Sequence, residues 1–221
     1  MEMKRRSPRC LAMTAVLVAC AGVTCLPAST IVSLTGPPND RGLGLFSFQW
    51  DAISFTVIHA YADVTSSVDL IGSFSGTAYL TSQIGAGTTI ANQIVAAAFT
   101  STPGSGGVQP VLQHVTLGGA GTYYIVLTTA QSGIPQGIRT TASPVIDSDA
   151  GASHGAFFIA SVGSGVPAYA PAAGFTRYYG EYGLYTVSAS EGNPVPEPST
   201  WTLSGAAFLV LLFRRISARR R

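Results

Sequence analysis

The sequence predicts an all-β fold: a single β-sandwich or jelly-roll-like domain of about eight strands, flanked by an N-terminal signal helix and a C-terminal hydrophobic helix. Three observations point there. Short apolar runs, some alternating with a period of two, are separated by glycine and proline at regular intervals. Glycine numbers 25 and proline 13 in 221 residues, while charged residues make up only 10%, against roughly 25% in ordinary soluble domains. Hydrophobic residues reach 47%, enough to bury a core, so the low charge does not indicate disorder.

Residues 1–28 have the layout of a secretory signal peptide. Lys4, Arg5, Arg6 and Arg9 make a basic start; residues 10–26 are apolar except for Thr14 and Thr24; small residues follow through Ala28. Cleavage after Ala28 is one reading, and the Ala19-Cys20-Ala21 pattern offers an earlier site. Leu17-Val18-Ala19-Cys20 has the form of a lipobox, an alternative in which Cys20 takes a lipid, and an uncleaved anchor is a further alternative. All three cysteines, Cys10, Cys20 and Cys25, lie in this leader. The body that follows can form no disulfide and must hold together by packing alone.

The body spans residues 29–193. Strands are expected at 45–50 and at 53–61, where Ile53, Phe55, Val57 and Tyr61 share a face. Further strands are expected at 68–71, 76–81 and 111–117. Residues 88–99 fit either a helical turn through Ile90 and Ile94 or a strand over 94–99. Residues 122–128 are apolar on both faces, which marks a central strand. Segments 157–162 and 184–188 complete the set.

The formal net charge of +2 belongs to the ends. The body keeps only Arg41, Arg139 and Arg177 against Asp40, Asp51, Asp63, Asp69, Asp147, Asp149, Glu181 and Glu191, a net of −5. Nucleic-acid binding by phosphate neutralisation is therefore not expected.

No catalytic set and no cofactor site is legible in the body. Gly72-Ser73-Phe74-Ser75-Gly76 has phenylalanine where a nucleophile elbow needs serine. His59, His114 and His154 lack metal-ligand spacing. Asp147 and Asp149, followed by Gly151, begin like a Ca²⁺ loop but lack its bidentate glutamate, and are read as a solvated acidic turn. Arg177, Tyr178 and Tyr179 could stack on sugar rings and bond their edges, while Tyr182, Leu184 and Tyr185 are read as strand packing. A hydrolase would have to use carboxylate pairs such as Asp63 with Asp69 or Asp147 with Asp149.

In the tail, Pro194, Pro196 and Pro198 keep the chain extended. Residues 201–213 are apolar; as a helix they would reach about 20 Å, short of the roughly 30 Å hydrocarbon core. Trp201 stands where an interfacial anchor would, and Arg214, Arg215 and the arginines at 219–221 follow Phe213. Basic residues favour the cytoplasmic side, so both ends are expected to stay inside during export while the body crosses.

The run Val195-Pro196-Glu197-Pro198-Ser199-Thr200-Trp201, the apolar stretch and the arginine cluster together resemble the PEP-CTERM sorting domain over residues 194–221. Members often have glycine-rich apolar stretches; here only Gly205 is present. The resemblance implies recognition at Pro196, Glu197 and Pro198 by an exosortase, a membrane-embedded cysteine transpeptidase, with the tail from Trp201 held in the membrane before processing. It also implies a Gram-negative bacterium that makes exopolysaccharide, and delivery to the cell surface or the extracellular biofilm matrix. The expectation is thus an exported, exosortase-processed surface or matrix protein with a non-catalytic body that contacts exopolysaccharide. A secreted hydrolase of matrix polymer and a purely structural spacer are the alternatives.

Overall fold

A computed structural model describes residues 28–39, 42–102, 107–131, 136–163 and 167–190. The expected signal and sorting helices lie outside these residues. Among the described residues no helix is long and apolar enough to cross a membrane.

The chain runs through β1 (Ser29–Thr35), β2 (Leu43–Gly44), β3 (Gln49–Val57), β4 (Tyr61–Ile71) and β5 (Phe74–Thr81). It continues through β6 (Gln93–Ser101), β7 (Val108–Leu117), β8 (Gly121–Thr128), β9 (Gly137–Ile138) and β10 (Thr140–Thr141). The last five strands are β11 (Val145–Ser148), β12 (Ala152–Ser161), β13 (Thr176–Tyr178), β14 (Tyr182–Gly183) and β15 (Tyr185–Ala189). One sheet has seven strands in the order β11-β1-β15-β4-β9-β2, with β7 also paired to β4. The other has six, β13-β12-β3-β8-β5-β6, and β10 pairs separately with β14. The pairings are antiparallel throughout.

Period-two alternation builds the core. Ile53, Phe55 and Val57 on β3, with Tyr123, Ile125 and Leu127 on β8, face the other sheet. There they join Ile31 and Leu34 of β1, Val64 and Val68 of β4, and Tyr185 and Val187 of β15 in one buried cluster. The expected central strand is β8, hydrogen-bonded to β3 on one side and β5 on the other. Its outward Val126 is also fully buried, which explains why the segment is apolar on both faces. A second small cluster forms outside the six-stranded sheet, where Ala170 and Ala173 fold over Trp50, Ala160 and Val162.

Three sequence expectations shift. Segments 45–50 and 53–61 are not two strands: β3 begins at Gln49, and the chain bends at Ile58 and His59 before Tyr61 opens β4. Tyr61 is buried like Ile53, Phe55 and Val57, but reaches the common core from the opposite sheet. Residues 88–99 realise both readings, a 3₁₀ turn at Ile90–Asn92 and then strand β6. In β12 a bulge sets Gly155 and Ala156 opposite Ser54, whose Oγ accepts from the Ala156 N–H at 2.7 Å. A Cβ at Gly155 would collide with Ser54, so the bulge requires glycine.

The register also fixes where the first and last strands meet. Ser29 of β1 lies directly opposite Ala189 of β15. Ser29 and Ala189 therefore sit side by side at one end of the sandwich.

Asp51 breaks the core pattern. It is fully buried on the inward face of β3, and neither carboxylate oxygen has a hydrogen-bond partner. Burial pushes its carboxyl well above the usual aspartate range, and the neighbouring Gln49 offsets part of the rise. With the folded-state value raised, the stability from keeping Asp51 neutral is complete below the ordinary aspartate range. It is lost as pH rises through the folded-state value. Asp51→Asn should accordingly melt a few degrees above wild type near pH 8 and match it near pH 4, each pKa unit being worth about 1.4 kcal/mol. Equal melting at both pH values, by calorimetry, would show that the carboxylate is satisfied in the folded chain.

Candidate functional site

Three places on the sandwich gather chemically capable side chains. The first is an aromatic rim. Strand β13 pairs with β12 so that Tyr178 lies opposite Phe157 and Arg177 opposite Phe158. Tyr178 packs its edge against buried Phe157 at 6.3 Å between ring centroids. Tyr179 is the most open aromatic described, 76% exposed, and the Arg177 guanidinium sits 5.2 Å from its ring centroid. Behind the rim, His154 meets Tyr182 edge-on and Tyr185 at a tilt, and shares a 3.1 Å hydrogen bond between its Nδ1 and the Tyr185 hydroxyl. Burial, and then the Arg177 charge, hold His154 below its ordinary value and favour the neutral ring. Tyr185 and Leu184 are core residues, as expected.

The second is a groove of about 580 Å³ at the end where β3 and β5 begin and β8 ends. Ser47, Trp50, Ser75, Thr77, Thr128 and Thr129 line it. These residues are far apart in sequence and meet only through register, Thr77 lying opposite Thr128. The sequence carried no signal for this site.

The third involves Asp63, His114 and Ser190. Asp63 Oδ1 lies 2.6 Å from His114 Nδ1, and Ser190 Oγ donates to Asp63 Oδ2. Asp63 (φ 51°) and His114 (φ 56°) both adopt the left-handed conformation that non-glycine residues avoid. Both sit where the register between β4 and β7 slips. The three residue types suggest a nucleophile triad, but the order is wrong. The carboxylate stands between serine and histidine, so the imidazole cannot take the serine proton. The geometry is that of a clasp on the end of β15, and the Ser190 N–H also donates to the Asp63 carbonyl.

The other carboxylates are not brought together. Asp63 and Asp69 lie six residues apart on β4, about 20 Å along the strand. Glycosidase pairs need roughly 5–9.5 Å. Asp69 is nearly buried and 3.7 Å from the Arg139 guanidinium, a charge contact beyond hydrogen-bond reach. Asp147 is on exposed edge strand β11, not in a turn, and lies opposite Ser33. Asp149 accepts from the Tyr61 hydroxyl at 3.0 Å and from the Ala150 N–H at 2.7 Å. Burial, with the Asp149 bond and charge, pushes the Tyr61 phenol up to about 12. Among the described residues no group of three or more His, Cys, Asp or Glu could hold a metal ion. Pro196, Glu197, Pro198, Trp201, Phe213, Arg214 and Arg215 lie outside the described residues.

The clasp should respond to pH. The Ser190 and His114 hydrogen bonds hold Asp63 below the usual carboxylate range. Its contribution is therefore present above that range and disappears as pH falls through the depressed folded-state value. Amide exchange at Ala189 and Ser190 should lose protection in acid, and Asp63→Asn should show the same loss at neutral pH. Unchanged protection in both cases would show that backbone pairing alone holds the strand end.

Comparison with known proteins bears on the tail. The family model described as the PEP-CTERM protein-sorting motif matches residues 194–221. No curated protein matches the chain, and no solved structure does. The chain thus carries a PEP-CTERM protein-sorting motif behind an all-β body, which supports an exosortase-targeted exported protein.

Proposed function

We propose that this is a cell-surface or extracellular-matrix protein whose precursor is cut by an exosortase at Pro196-Glu197-Pro198. The released body is non-catalytic and contacts exopolysaccharide. The observation that carries the reading is the sorting motif over residues 194–221. Structure adds support from the other side of the junction. Among the described residues the core cluster reaches Ala189, five residues before the motif begins at Pro194. The pairing of Ser29 with Ala189 supports this reading, since it sets the first and last strands of the body side by side.

The non-catalytic reading rests on the arrangement described above. Serine is bonded to a carboxylate and not to a base, and the carboxylate pairs are separated or already engaged. For the glycan contact the supporting feature is Tyr179, whose ring is exposed and flanked by a guanidinium that can bond sugar hydroxyls.

Replacing Pro196 and Glu197 together by alanine should leave an uncut precursor in the membrane fraction, seen on immunoblots as a band heavier than the processed form. Normal processing of that variant would remove the motif from the mechanism. In pull-downs with the native exopolysaccharide, Tyr179→Ala should weaken binding several-fold with less than about 0.5 kcal/mol change in stability. Tyr178→Ala should also cost stability, because that ring covers Phe157. Binding indifferent to both substitutions would exclude the rim.

A further inference from the structure

We propose that the groove at Trp50 is a binding site for a neutral saccharide, separate from the Arg177–Tyr179 rim and at the end of the sandwich farthest from the sorting tail. The inference goes beyond the rim contact and does not depend on it.

Position comes first. β4 begins beside the tail junction, with Val64 opposite Ala189, and the bend after Val57 joins β3 to β4 at that end. β3 and β8 are antiparallel, with Val57 opposite Gly121 and Asp51 opposite Leu127. One step further, Trp50 and Thr128 share the outer face, about 24 Å along β8 from Gly121. The groove thus opens at the end away from the membrane-held segment, where a long polymer can reach it.

Chemistry selects the ligand. No ionisable side chain lines the groove, and five of its lining residues are serine or threonine. Thr128 Oγ1 donates to the Thr77 carbonyl at 3.2 Å, and Thr129 Oγ1 donates to the Ser75 carbonyl at 2.8 Å. Their hydrogens are committed, so towards a ligand these oxygens act as acceptors. The Ser47 and Thr77 hydroxyls, also in the lining, can donate as well as accept. Trp50 is part of the wall, so its indole N–H resonance reports on the groove.

Hydroxyl donors beside fixed acceptors suit adjacent sugar hydroxyls, each able to give and accept. Apolar side chains would leave both sets unpaired, and a uronate or phosphate polymer would meet acceptor oxygens on a body of net charge −5. The volume of about 580 Å³ falls within the roughly 300–1,000 Å³ of small-ligand pockets and suits a short run of sugar rings.

The test is a titration of the ¹⁵N-labelled full-length chain in detergent micelles, followed at the indole N–H resonances. The chain has two tryptophans, so Trp50→Phe assigns the signal from Trp50. The probes are neutral oligomers of glucose, galactose and mannose, an oligomer of a uronic acid, and a synthetic peptide of residues 191–200. Movement of the Trp50 signal by at least one neutral oligomer, with roughly five- to tenfold weaker binding in Thr77→Val, supports the site. Backbone amide spectra confirm that both variants remain folded. Movement caused by the uronic acid alone or by the peptide alone, or by no probe, overturns it. Sugar binding that moves residues around Tyr179 but leaves the Trp50 signal still also overturns the groove, while sparing the exopolysaccharide contact proposed for the rim.

Discussion

The constraint on which everything else depends is the face-to-face packing of two sheets in a body without cysteine. Phe55, Phe157 and Tyr185 are fully buried between them, together with Leu34, Leu80, Leu117 and Leu127. Each such side chain contributes about 1.5–3 kcal/mol on burial. With no disulfide and few ion pairs among the described residues, that interdigitation is the main source of order. Close approaches serve it: a Cβ on Gly183 would press on the Phe157 ring. Asp51 is the exception, an uncompensated carboxyl where an apolar residue would pack.

The same packing separates folding from sorting. β15 is an interior strand, hydrogen-bonded to β1 and to β4, and its last residues are fastened by the Asp63 clasp. Among the described residues the core cluster reaches as far as Ala189, on this strand. The strained backbone at Asp63 and His114 falls beside the end of β15, where Asp63 bonds Ser190 and His114 bonds Asp63.

Legibility in the sequence followed locality. The sorting motif is contiguous, so its proline, glutamate, apolar and arginine elements could be recognised without a fold. Strands buried on one or both faces, β3, β8 and β15, were visible because burial imposes their period. The two-residue strands β2, β9, β10 and β14 were not, since they exist only through distant partners. β1 was missed because Ser29–Thr35 begins directly behind the leader and shows no turn signal before it. Arg177, Tyr178 and Tyr179 were found because neighbours in sequence stayed neighbours in space. The Trp50 groove and the Asp63–His114–Ser190 clasp are assembled by register and bulges, and neither leaves a pattern along the chain.

The central claim is that the tail is a transient sorting device on a self-sufficient β-sandwich. Intact-mass spectrometry of the protein recovered from its final location tests it most directly. A mass corresponding to a chain that ends near the Pro196-Glu197-Pro198 segment, with the body still folded, is the predicted result. A mature protein that retains the apolar stretch and Arg221 would contradict it.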